Sequence, residues 1–338
     1  MQLSKDFSLK QYHTFHIDVS AKYFAAFQSL HELQHILELP EIKNEPLLIL
    51  GGGSNLLFTK NFNGLVLKNE MDGMGTVHED ERHVYVKAGA GVNWHRFVLH
   101  CIHRNLAGIE NLSLIPGNVG ASPMQNIGAY GAEIKDVFHS LEAYHLYEKK
   151  TCTFTSNDCE FGYRESVFKR KYKNQFVILN VTFALNKVPH YNISYGAIEE
   201  ELKKMKVRQL SIKAISDAVI NIRTSRLPDP NVIGNAGSFF KNPQVSNSKL
   251  EALRTGFPDI PSFKADDAQV KIPAGWLIEQ CGWRGFRRGD AGCYDKQALV
   301  LVNYGNATGH DILRLSDNIF ESVFRKFDIK LEREVNVI

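Results

Sequence analysis

Two stretches carry residue types suited to holding an anion. Gly51-Gly52-Gly53-Ser54-Asn55 follows the short apolar run Pro46-Leu47-Leu48-Ile49-Leu50 and offers successive amides and two short polar side chains. An ordinary tight turn would use the same glycines. Downstream, Ile115-Pro116-Gly117-Asn118-Val119-Gly120-Ala121-Ser122-Pro123 and Gln125-Asn126-Ile127-Gly128-Ala129-Tyr130-Gly131 add small residues, carboxamides and backbone donors. A Rossmann fingerprint is missing, because Ser54, Asn55 and Leu56 follow Gly53 where a third glycine should fall.

His31-Glu32-Leu33-Gln34-His35 has the spacing of a zinc-binding helix. Ser29 and Glu32 also form a capping box, which gives the glutamate a structural task, and nothing nearby supplies a third ligand. No metal is expected.

The elements that must position these stretches can be placed from periodicity. Pro46–Leu50, Gly64–Leu67, His83–Lys87 and Phe176–Leu185 are expected strands. From Asn93, the residues Trp94, Phe97, Val98, Cys101 and Ile102 recur at helical spacing, and that helix should stop near Gly108. Ser211 caps a helix whose Ile212, Ile215, Val219 and Ile222 face inward. Ala274–Trp283 and Thr308–Phe327 read as helices, Ala298–Asn303 as a strand, and Ile329–Ile338 as an extended segment with Glu332 and Glu334 on one face. The irregular order of strands and helices favours an α+β fold.

The 338 residues exceed what one compact core usually holds. Arg226-Leu227-Pro228-Asp229-Pro230 is the best boundary between domains. Hydrophobic residues at 43% and charged residues at 23% mark an ordinary folded chain, and a net charge of +3 without a basic cluster argues against nucleic acid or a membrane surface. Five cysteines without a C-x-x-C pair suit a reducing compartment. With no signal peptide and no run of about 20 apolar residues, the chain is expected in the cytoplasm.

These motifs occur in one order with Thr14-Phe15, Phe161-Gly162-Tyr163-Arg164-Glu165-Ser166, Leu227-Pro228-Asp229-Pro230, Gly234 to Pro243, Ala274-Gly275-Trp276-Leu277-Ile278 and Glu332-Arg333-Glu334-Val335. In that series the chain resembles, over nearly its whole length, the vanillyl-alcohol-oxidase-like flavin superfamily. Within it, the resemblance is to the longer, tyrosine-loop subtype of the bacterial enolpyruvyl-UDP-sugar reductases of peptidoglycan precursor synthesis. The resemblance implies a two-part FAD-binding domain, residues 1–66 and 67–223, with 329–338 completing the first part, and an α+β substrate domain over 224–328. It implies NADPH-driven reduction of UDP-N-acetylglucosamine enolpyruvate to UDP-N-acetylmuramate, by a monomer. FAD should be held without a covalent bond, since no histidine follows the 51–55 turn as in covalently flavinylated relatives.

By the same resemblance, Arg164 takes the enolpyruvyl carboxylate, Ser238 is the proton donor and Glu334 hydrogen-bonds the intermediate. From residue type alone, Arg164 could instead pair with Glu165, Ser238 could cap a helix before Phe239-Phe240, and Glu334 could simply face solvent. Gly51, Gly52, Gly53, Ser54, Asn55, Pro116, Gly117, Gly120, Ala121, Ser122, Asn126, Gly128, Ala129 and Tyr130 are the implied cofactor contacts. Tyr130, Tyr195, Arg226, Asn242 and Gln297 are the implied substrate contacts. Arg226 stands where many members carry lysine, His16 where a glycine is usual, and Asn336 where an arginine is usual. A related flavin oxidase acting on another alcohol, and a flavin-binding protein without turnover, are the competing readings.

Overall fold

The computed structural model describes residues 2–338, which pack as two compact units. The first comprises the N-terminus to Phe7, Ala21–Gly53 and Asn63–Ser225, and the second comprises Ser8–Ser20, Ser54–Phe62 and Arg226–Ile338. Among its changes of unit, one falls within the glycine turn, between Gly53 and Ser54, and the last falls at Arg226. The stretches 1–66 and 67–223 contribute mostly to one unit, while the terminal segment joins the other.

The first unit holds two sheets. In one, the strands run in the order Ser4–Ser8, Ser20–Phe27, Phe62–Asn69 and Leu47–Leu50, the last two parallel with Leu50 opposite Lys68. The apolar run at 47–50 therefore delivers its glycine turn at the edge of a sheet, beside a lysine. The other sheet is antiparallel, in the order Lys150–Thr155, Phe138–His145, Phe176–Asn186, His83–Gly89 and Met74–Glu79.

The helix Trp94–His103 covers that second sheet because its apolar stripe matches the strand face. Phe183 lies 5.7 Å from the Trp94 ring and 5.0 Å from Phe97. Asn93 caps the helix by accepting from the Arg96 N–H, a contact worth about 1 kcal/mol. The helix stops at Arg104, four residues before Gly108. The indole Nε1 of Trp94 donates to the Leu112 carbonyl at 2.9 Å, so the core tryptophan also anchors the start of the long loop.

The second unit is built on a four-stranded antiparallel sheet, Gly234–Ser238, Val300–Asn303, Ala291–Cys293 and Arg287–Arg288. The long helix Gly309–Phe327 packs on it with Ile312, Leu315, Ile319 and Val323 buried, and the Thr308 and Asp311 capping box forms as its spacing requires. The last segment is a strand only at Asn336–Val337, parallel to Leu56–Leu57. Its remainder is fixed by an isolated bridge between Phe240 and Arg333. His16, where the resemblance expects glycine, adopts φ 53°, a left-handed conformation that glycine enters without strain. Its Nε2 and Nδ1 face the carbonyls of Pro230 and Lys10 at 2.9 and 3.2 Å, and the ring N–H donates to one of them, which helps hold the imidazole in that conformation.

His13 carries a consequence for stability. It is 2% exposed, burial depresses its pKa to about 4, and its Nε2 faces the Ile17 carbonyl at 3.1 Å. The unfolded chain binds this proton near pH 6.5 and the folded chain does not until about pH 4. Stability from the neutral ring is therefore complete above pH 6.5 and lost as the pH falls to 4. The total is about 3 kcal/mol from a shift of this size. Urea midpoints measured from pH 7.5 to 4 should fall for the native chain, and the His13→Gln variant should show a shallower decline; parallel curves would show that His13 is not responsible.

Candidate active site

The two glycine-rich stretches meet in the first unit. A Cβ added to Gly52 would lie 2.7 Å from the Gly117 Cα and 3.1 Å from the Asn118 Oδ1, so only glycine permits this approach. The second stretch is stitched to residues 89–94: Trp94 N–H donates to the Gly117 carbonyl, Val119 N–H to Val92, Gly120 N–H to Ala90, and Asn118 Nδ2 to Gly91. Among the described residues, nothing accepts from the N–H groups of Gly52 and Gly53. Lys68, whose ammonium donates to the Gly51 carbonyl, adds a positive charge that burial holds below the usual lysine pKa. Free amides, a close backbone approach and a desolvated cation together suit the phosphate groups of a dinucleotide.

Lys68 was not legible in the sequence. Its place depends on the parallel pairing with Leu47–Leu50, which no local pattern announces. Gly52→Ala should weaken FAD binding about tenfold, the equivalent of about 1.4 kcal/mol of overpacking. Fluorescence titration with FAD measures this, and unchanged affinity would remove the turn from the cofactor site.

Two residues expected at the cofactor turn their side chains inward instead. The Ser122 hydroxyl donates to the Val119 carbonyl at 2.7 Å and the residue is 1% exposed. Asn126, fully buried at φ 44°, spends its Nδ2 on Glu133 and the Gly162 carbonyl and its Oδ1 on the Lys135 N–H. Asn126 therefore ties the loop to the turn that bears Arg164. Pro116, Gly117, Gly120, Ala121, Gly128, Ala129 and Tyr130 keep part of their surface accessible.

Arg164 sits in that turn at φ 54°, between reciprocal backbone bonds joining Gly162 and Glu165. A left-handed arginine costs roughly 1–2 kcal/mol and persists only where its surroundings enforce it. Its guanidinium donates to the Gly128 carbonyl at 2.6 Å, and a Cβ on Gly128 would stand 3.1 Å from Nη1. Gly128 thus serves the arginine directly. Glu165 lies 4.0 Å from both Lys169 and Arg170.

Tyr130, at φ 50°, stacks edge-on against Tyr195 with ring centroids 5.4 Å apart, and Tyr195 is 44% exposed. Asn111 holds this corner by donating to the carbonyls of Tyr130 and Asn192.

Ser238 and Glu334 belong to the second unit and are neighbours there. The Glu334 N–H donates to the Phe239 carbonyl at 2.9 Å, and the Lys241 N–H donates to Glu332. Ser238 ends a strand and is followed by a bend at Phe239 and an isolated bridge at Phe240, so it caps no helix. A bulge between Asn235 and Ser238 in the ladder to Val302 and Val300 breaks the strand's alternation just before the serine, and bulges commonly re-aim a side chain. Glu334 is half-buried rather than solvent-facing, and Asn55 Nδ2 donates to its carbonyl at 3.2 Å. Glu332 is the exposed one of the two and pairs with the buried Lys241.

Of the remaining expected contacts in this unit, Asn242 gives its Oδ1 to the Ala274 N–H at 2.9 Å. Gln297 packs its Oε1 where a Cβ on Gly275 would stand 2.8 Å away. Arg226 ends the helix Ile212–Arg226 and is exposed. His31 and His35 are exposed on the helix Leu30–Leu37, which Ser29 caps through the Glu32 N–H.

Residues 229–338 match the C-terminal domain of UDP-N-acetylenolpyruvoylglucosamine reductase, and residues 21–146 match an FAD binding domain. The UDP-N-acetylenolpyruvoylglucosamine reductase of Flavobacterium johnsoniae is 51% identical, and that of Amoebophilus asiaticus 48%, each over 100% of both chains. The chain belongs to the UDP-N-acetylenolpyruvoylglucosamine reductase family. The solved reductase of Thermus caldophilus shares the fold, with a TM-score of 0.67 at 22% identity over 99% of this chain and 98% of that one. Membership makes FAD the cofactor, and the glycine cradle beside Lys68 fits its phosphates. No helix among the described residues is long and apolar enough to cross a membrane.

Proposed function

We propose that the protein reduces the enolpyruvyl ether of UDP-N-acetylglucosamine enolpyruvate to the lactyl ether of UDP-N-acetylmuramate, with NADPH as electron donor. The end-to-end match to reductases of that name carries this reading. The chemistry supplied by bound FAD is the relay of a hydride from NADPH to the terminal carbon of the enolpyruvyl group.

The chain's own residues handle the charge and the proton. Hydride arrival at the terminal carbon places negative charge on the neighbouring carbon and its carboxylate. Arg164 binds that carboxylate, since a guanidinium pairs with it bidentately and keeps its proton. Ser238 delivers a proton from Oγ to the neighbouring carbon and regains one from solvent afterwards. A serine is a weak acid, but the carbon it meets is strongly basic. Glu334 hydrogen-bonds the reacting group from the extended segment whose backbone bonds Phe239, next to Ser238. The unstrained alternative for each residue is weakened by its surroundings: Ser238 precedes no helix, Glu334 is half-buried, and Arg164 occupies a strained turn.

Gly51–Asn55, Pro116, Gly117, Gly120, Ala121 and Gly128–Tyr130 hold the cofactor through backbone donors, with Lys68 beside them. Tyr195 covers the uridine end of the substrate, and Arg226 and Gln297 meet its diphosphate. Asn242 contributes through Nδ2, its Oδ1 being engaged by Ala274. The substrates are water-soluble nucleotides, which agrees with a cytoplasmic protein. NADPH oxidation that requires the enolpyruvyl sugar is the deciding assay. Equal NADPH oxidation without that sugar would point to a different flavin enzyme.

A further inference from the structure

Arg223 lies in the last turn of the helix Ile212–Arg226, next to Ile222, which packs with Ile198, Leu202 and Val219. Its Nε is sealed from solvent and has no acceptor. Among the described residues no carboxylate reaches ion-pairing distance of this guanidinium. Its polar partner is the Tyr130 side chain, and the His95 imidazole lies close enough to feel its charge.

His95 cannot supply the missing negative charge. Its Nδ1 accepts from the Leu114 N–H at 3.0 Å, which puts the ring proton on Nε2. Burial first, and Arg223 second, hold the imidazole below its ordinary pKa, so it is neutral at pH 7. Burial also lowers the Arg223 pKa, yet a guanidinium stays charged at any physiological pH. The carboxyl end of the helix gives a cation partial compensation, but no helix carbonyl bonds its Nε. A half-buried cation with a sealed, unpartnered Nε and no counter-ion is costly, and an anion from outside the chain relieves it.

We propose that Arg223, with Tyr130, binds a diphosphate oxygen of a nucleotide ligand. The proposal rests on the reductase reading, which provides two such ligands, FAD and the sugar nucleotide. Three features favour a diphosphate: the residue Tyr130 belongs to the small-residue loop, Tyr195 stacks on it, and the substrate carboxylate is already assigned to Arg164.

The test uses purified holoenzyme of the native chain, Arg223→Met and Arg223→Lys. FAD affinity is read by fluorescence, and UDP and uridine affinities by perturbation of the flavin absorbance. Arg223→Met should weaken FAD or UDP binding at least tenfold, leave uridine binding within twofold, and not lower the thermal midpoint of FAD-stripped protein. Arg223→Lys should recover part of the loss, because it keeps the charge but not the fork. Loss of FAD affinity assigns the residue to the cofactor, and loss of UDP affinity assigns it to the sugar nucleotide. FAD and UDP affinities both within twofold of native, or an equal loss for UDP and uridine, would overturn the proposal. Native protein that binds neither FAD nor UDP would fail the reductase reading itself.

Discussion

Replacing Ser238 by alanine is expected to leave NADPH-driven bleaching of the flavin at its native rate while slowing the return of yellow colour on adding the enolpyruvyl sugar by at least about 10²–10⁴-fold. The reason is a division of labour. Bleaching requires only NADPH and cofactor, whereas the second half-reaction leaves a carbanion-like centre that must be protonated as charge develops. Alanine has no proton to give. Ser238 also sits where the change should be tolerated: it ends its strand after a bulge, and no described residue depends on its hydroxyl. Stopped-flow absorbance separates the two phases. Equal slowing of both would mean that the substitution disturbs the cofactor, and native turnover would remove Ser238 from the chemistry.

Arg164→Met is expected to lower kcat with the enolpyruvyl sugar by about 10²–10³-fold, matching the roughly 2.7–4 kcal/mol that a donor aimed at developing charge contributes. Arg164→Lys should recover only part, because an ammonium cannot engage both carboxylate oxygens in one plane. The variants also relieve nothing in the backbone, since methionine and lysine carry a Cβ into the same left-handed conformation at φ 54°. The effect on rate is therefore chemical rather than conformational. NADPH-dependent bleaching should again be spared. If Arg164→Met keeps kcat within threefold of native, the carboxylate is bound elsewhere.

Much of the fold could be read from residue pattern because the signals were local. The stripe from Trp94 to Ile102 forms the helix Trp94–His103, Ser211 caps the helix that ends at Arg226, and Thr308 with Asp311 opens the longest helix. The C-terminal segment was harder. Its alternation implies a full strand, yet its partners are the ends of other segments, Asn55–Leu57 and Phe239–Lys241, so only Asn336–Val337 forms a ladder.

The site divides in the same way. Arg164, Ser238 and Glu334 were assigned through ordered motifs, and each has a distinctive local context: a left-handed turn, a residue just after a bulge, and a segment bonded to Phe239. Lys68 and Arg223 carry no motif. What sets them apart is what long-range packing leaves around them, a glycine turn in one case and a sealed, unpartnered Nε in the other. Ser122 and Asn126 look like ligand residues in sequence because loops need carboxamides and hydroxyls for their own bonds as well.

Anaerobic mixing of the NADPH-reduced holoenzyme with UDP-N-acetylglucosamine enolpyruvate tests the central claim most directly. Oxidised flavin absorbance should return with formation of one equivalent of UDP-N-acetylmuramate, without oxygen. A flavin that stays bleached until air is admitted, with the sugar nucleotide recovered unchanged, would contradict the account.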